Sequence, residues 1–92
     1  MNEKDMEFLK NFDNGERIFS RVFRKAKKEI ILQDQEEFVE YMSEHIQENQ
    51  GVSNDDAERY ANIIFEIWED KCGCSVTSFD REMSALKKKL FT

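Results

Sequence analysis

Ser53 to Cys72 reads SNDDAERYANIIFEIWEDKC, and this stretch decides the fold class. At about 100° per residue, Ala57, Tyr60, Ala61, Ile63, Ile64, Phe65, Ile67, Trp68 and Cys72 sweep roughly 200° of a helix surface, far more than a helix packed on one side needs. An apolar arc this wide must be covered from several directions. Glu58, Arg59, Asn62, Glu66, Glu69 and Asp70 leave one polar strip for solvent. The expectation is an all-α fold: a compact orthogonal bundle of four to five helices around a central helix at about 54–72, with residues 1–92 forming a single helical domain.

Composition points the same way. The chain has no proline and three glycines, Gly15, Gly51 and Gly73, which is too few turn residues for a sheet protein of 92 residues. Eleven aromatic residues, eight of them Phe, supply the volume of a modest core without disulfide or metal staples. No apolar run approaches the ~20 residues of a membrane span. The start, MNEKDMEF, has no apolar signal core, so a cytoplasmic location is expected. Two cysteines one residue apart fit a compartment that keeps thiols reduced.

Outward from the central stretch, each neighbour shows one apolar side. Asn2 to Phe12 suggests a short helix with Asn2 as its cap and with Phe8, Leu9 and Phe12 inward, Met6 fitting that side poorly. Asp13-Asn14-Gly15 reads as a turn in which Asn and Gly take positive φ. From Glu16 to about Ile30, an arc of Ile18, Phe19, Val22, Phe23, Ala26 and Ile30 faces Arg17, Arg21, Arg24, Lys25, Lys27 and Lys28 across the helix. Ile31 and Leu32 fall off that stripe, which places a bend at Leu32 to Asp34. Asp34 with Glu37, and Ser53 with Asp56, match capping boxes opening helices at Gln35 to Asn49 and at the central stretch. Gly51 and Gly73 sit where helices end. A last helix, capped by Thr77 with Asp80 or by Ser78, carries the narrow stripe Phe79, Met83, Leu86 and Leu90, and Lys87, Lys88 and Lys89 crowd its end.

Charge is segregated along the chain far more than the net value of −6 conveys. Glu29 to Asp70 holds thirteen carboxylates against one base, Arg59, whereas Arg17 to Lys28 holds six cations and no acid. Such a pattern gives oppositely charged surfaces that steer association. Charged helix faces also serve solubility alone, and that reading stands beside the functional ones. In the acidic reading, Glu36, Glu37, Glu40, Glu44 and Glu48 dock onto a basic, possibly nucleic-acid-binding, protein. Arg17, Arg21, Arg24 and Lys28 then form a second surface, for phosphates, for a protein or for another copy of the chain. Phe19 and Phe23 are interleaved with those cations but fall on the inward face, as core residues rather than stacking platforms. A helix-turn-helix built on the CGCS turn fits poorly, since Glu66, Glu69 and Asp70 would face a phosphate backbone. A basic amphipathic helix lying on an anionic membrane is weaker still, because the core accounts for its apolar face.

Nothing in the chain has the spacing of a catalytic or metal motif. Cys72 and Cys74 have only His45 as a further strong ligand, one short of a closed zinc site. Both thiols read as packing residues, and a helix C-terminus disfavours a thiolate at Cys72. His45, at the edge of an apolar stripe, reads as a boundary residue, and the glycines form no phosphate loop. The expectation is therefore a small acidic interaction protein, non-enzymatic and without cofactor or metal. Inhibitors, immunity proteins and phage-type antagonists share that size and charge. The alternative is a DNA- or RNA-binding regulator using the basic helix at 17–28.

Overall fold

The structure, a computed structural model, describes residues 2–48 and 51–92. It is an all-α bundle. Helices α1 (Glu3–Asn11), α2 (Gly15–Glu29), α3 (Gln35–Gln47), α4 (Asn54–Glu66) and α5 (Val76–Phe91) follow one another, and no strand occurs among the described residues. A 3₁₀ turn at Ile30–Leu32 follows α2, and α4 runs on into a π-helical segment, Ile67–Lys71.

The start signals work as the sequence implies for three helices. Asn2, Asp34 and Ser53 each accept a hydrogen bond from the amide three residues on, those of Asp5, Glu37 and Asp56 at 2.9, 2.9 and 3.2 Å. Helix α5 departs from the expectation. Its cap is Ser75, whose Oγ accepts from the Ser78 amide at 3.3 Å, and not Thr77 or Ser78. Gly73 and Cys74 take φ of 56° and 62°, which completes the reversal early and leaves Ser75 extended, the conformation an N-cap needs. Cys74 is consequently exposed, where the sequence suggested packing, whereas Cys72 is buried as expected. The terminal Asn49 of the expected third helix lies outside the described residues.

Helix α4 is the middle of the bundle. Ala57, Tyr60, Ala61, Ile63, Ile64 and Phe65 are buried, as are Ile67, Trp68 and Cys72 beyond them. Three other helices lay aromatic rings on it. Phe8 of α1 and Phe12 just past its end meet Tyr60 edge-on, Phe38 of α3 meets Phe65 at 5.5 Å, and Phe79 of α5 stands perpendicular to Trp68 at 5.5 Å. Beyond α4 the π-helical turn carries Ile67 and Trp68 into the same core, and Cys72 is buried just past it.

The remaining corrections are local. Helix α1 is regular, and Met6 packs on the core with Phe8 and Phe12. In the α1–α2 turn only Asn14 has positive φ, at 56°. Gly15 begins α2, where a Cβ would lie 3.0 Å from the Lys10 carbonyl and 3.1 Å from the Phe91 ring, so glycine there permits close approach. The bend after α2 falls where expected and leaves Ile31 and Leu32 exposed at 55% and 72%.

Candidate functional site

Outward residues of α3 and α4, and of α2 and α5, line grooves of opposite sign, whereas the recesses beside α1 carry both signs. The acidic one is a groove of about 550 Å³ between α3 and α4, lined by Glu36, Glu40 and Glu44 of α3 and Glu58 of α4, with Val39 and Ser43 at its base. Helical spacing of four brings the three α3 carboxylates onto one edge, and the Asp34 and Ser53 caps fix where that edge begins. The Ser43 hydroxyl turns back to the Glu40 carbonyl at 3.0 Å, and Asn54 holds the Glu58 carboxylate at 3.0 Å. Among the described residues, none of the four carboxylates meets a cation within ion-pair distance.

The cationic surface centres on α2 and has two parts. Between α2 and α5 runs a groove of about 640 Å³ with Phe23 and Phe91 in its lining and Arg24, Lys27, Lys28, Lys87 and Lys88 around it, Glu16 being its one carboxylate. Lys27 is anchored to Asp80 of α5 at 2.7 Å, with its ammonium 5.2 Å from the Phe23 ring centre. Phe23 is thus half-buried and forms part of a surface, where the sequence placed it wholly in the core; Phe19 beneath is fully buried. On the other flank of α2, Arg21, Arg24, Lys25, Lys28 and His45 line a smaller recess of about 240 Å³.

One carboxylate at the end of α3, outside the acidic groove, touches the cationic face. Arg21 donates to Glu48 at 3.3 Å, and the same carboxylate oxygen is 3.7 Å from His45 Nδ1. Burial of the imidazole, and then the nearby Arg21 guanidinium, push the His45 pKa below its ordinary value against the pull of Glu48, with Lys25 adding to the depression. Lys25 lies across the Tyr41 ring, its ammonium 5.6 Å from the centroid. Burial raises the Cys72 thiol pKa, which leaves that sulfur a poor nucleophile.

Of the expected acidic residues, the structure gathers Glu36, Glu40 and Glu44, and it separates two. Glu48 belongs with Arg21 and His45, and Glu37 lies outside the groove, its amide on the Asp34 cap. Of the expected basic residues, Arg21, Arg24 and Lys28 come together, while Arg17 is exposed apart from both cationic recesses. The sequence left Glu58, Lys25, Lys27 and His45 out of its chosen sets. Lys25 and Lys27 were legible in the cationic arc of α2, but Glu58 and His45 join only through helix neighbours that no local pattern specifies. Among the described residues no group of His, Cys, Asp and Glu is placed to hold a metal ion, and no helix is long and apolar enough to cross a membrane. Comparison with protein-family models, with curated proteins and with solved structures finds no match.

Proposed function

We propose that this is a non-enzymatic, cytoplasmic interaction protein that docks onto a basic protein through the α3/α4 groove, in the manner of a small acidic inhibitor. The observation that carries the reading is the set Glu36, Glu40, Glu44 and Glu58: four carboxylates from two helices, facing one groove with no cation among its lining residues. Unpaired like charges so close repel one another, and a guanidinium or ammonium from a partner removes that repulsion while forming charge-assisted hydrogen bonds. A target that itself binds nucleic acid offers such a surface, the carboxylates standing where phosphates would.

A second reading follows from the α2/α5 groove. Lys87 and Lys88 join Arg24, Lys27 and Lys28 around it, so cations distant in sequence share one track that a nucleic-acid backbone can follow. One comparison separates the two. Pull-downs from cells of the source would use the wild type, an acidic variant (Glu36→Gln, Glu40→Gln, Glu44→Gln) and a basic variant (Arg24→Ala, Lys28→Ala, Lys87→Ala). Docking through the acidic groove requires a basic protein retained by the wild type and the basic variant and lost from the acidic one. Retention on all three, or on none, sinks that reading. A shift of random duplex or single strands that falls steeply with salt and vanishes in the basic variant supports the regulator instead.

A further inference from the structure

The recess on the α3 side of α2 is the part of the cationic surface that the two readings above leave unused. Arg21, Arg24, Lys25 and Lys28 stand at i, i+3, i+4 and i+7, so they share one face of α2 over about 10 Å of helix axis. His45 faces them from α3. The Glu48 carboxylate, 3.3 Å from Arg21 and 3.7 Å from His45, already bridges the two helices as an oxyanion does.

We propose that Arg21, Arg24, Lys25, Lys28 and His45 form a binding site for a small diphosphate-class anion. Four cations exceed what one phosphate can neutralise, because it brings only about two negative charges. A diphosphate brings about three to four negative charges on two tetrahedral groups, and the guanidinium forks of Arg21 and Arg24 present paired donors to it. The recess, about 240 Å³, has room for such an ion. Glu29 lies one turn beyond Lys25, whose ammonium it attracts, and Glu48 sits at Arg21, so phosphates added to the ion on those two sides meet a carboxylate. Arg24 and Lys28 also line the α2/α5 groove, so an organic group attached to the diphosphate has Phe23 and Phe91 within its path. The source is therefore either inorganic diphosphate or the diphosphate end of a nucleotide.

His45 is the chain's single histidine, which gives the test an unambiguous reporter. The charged groups about its ring are Arg21 and Lys25 on α2 and Glu48 on α3. An NMR titration of the imidazole resonances with inorganic diphosphate, at low ionic strength, should move them saturably and raise the His45 pKa, since the added anion opposes Arg21 and Lys25. The Arg24→Ala/Lys28→Ala variant, altered at two exposed positions and checked by circular dichroism, should bind on the order of tenfold or more weakly. Glu48→Gln removes the internal competitor and should bind more tightly than wild type. A nucleoside diphosphate binding tighter than inorganic diphosphate identifies the nucleotide as the source, and equal binding identifies the inorganic ion. The site is refuted by a response no larger than sodium chloride gives at equal ionic strength, or by unchanged affinity in the double variant. A random single strand that outcompetes diphosphate at lower phosphate concentration also refutes it, in favour of a nucleic-acid surface.

Discussion

The α3/α4 groove and the α2/α5 groove are of similar size, about 550 and 640 Å³, and are built by the same means, two helices laid side by side on one core. Their charges differ in how they are held. On the cationic side Lys27 is tied to Asp80 and rests over Phe23, and Phe23 and Phe91 put apolar surface in the groove. On the acidic side Glu36, Glu40 and Glu44 meet no cation within ion-pair distance among the described residues, and Val39 and Ser43 share the lining. Lys27 is the one cation of its groove with an ion-pair partner among the described residues, so both faces carry charge of a single sign that gains when something else supplies the counter-charge. The acidic groove differs in having neither an internal ion pair among the described residues nor an aromatic ring in its lining.

The comparison breaks most visibly if its two sides prove to be separately stable. One hydrophobic cluster runs through all five helices, and Phe79 is central to it, fully buried, edge-on to Phe23 at 6.3 Å and perpendicular to Trp68 at 5.5 Å. Phe79→Ala should destabilise the protein by about 3–5 kcal/mol through lost burial and the cavity left behind, measured by urea unfolding. The loss should be shared. Hydrogen exchange should show α3 and α4 amides losing protection together with those of α2 and α5. Protection retained in α3 and α4 alone would make the acidic side an independent unit and the shared core a wrong premise.

A smaller effect tests the interior under α4. The Tyr60 hydroxyl is buried and finds no hydrogen-bond partner among the described residues, and burial drives its pKa far above the ordinary tyrosine value. The ring itself is well used, packed edge-on by Phe8 and Phe12. Tyr60→Phe keeps the ring and removes an unsatisfied polar atom, so it should stabilise by about 1 kcal/mol in the same urea assay. Destabilisation instead would mean that the hydroxyl is satisfied and that the interior of α4 is less dry than its lining implies.

What the chain disclosed in advance follows from which properties are local. The arc of Ile64, Ile67, Trp68 and Cys72 declared a surrounded helix, because burial of a helix face is written in its own spacing. The π-helical turn was not legible, because Ile64, Ile67, Trp68 and Cys72 stand at i, i+3, i+4 and i+8, a stripe that a straight α-helix presents equally well. Caps at Asp34 and Ser53 were legible because cap and amide are three residues apart. The Ser75 cap was not, since it depends on the positive φ of Cys74. The blocks of charge were legible as blocks, but their partition into recesses was not: Lys87 meets Arg24, and Glu58 meets Glu40, only once the helices have chosen neighbours.

The finest test concerns the contact of Arg21 and His45 with Glu48. His45 has Arg21 and Lys25 pushing protons away and Glu48 drawing them in, and burial adds to the first side, so its folded pKa lies below the ordinary value. In the unfolded chain the imidazole takes up its proton near pH ~6.5. As pH falls through that value the unfolded state binds the proton first, and stability declines until the folded pKa is passed, after which this contribution is constant. His45→Gln has no such step. The urea midpoint of wild type, measured relative to His45→Gln, should therefore be highest above pH ~7 and fall as the solution is acidified toward pH ~5.5. Glu48→Gln in the wild-type background, by removing the attractive carboxylate, should deepen the fall. If wild type gains on His45→Gln as pH drops, Glu48 outweighs both Arg21 and burial, and the recess belongs electrostatically to the acidic side of the molecule.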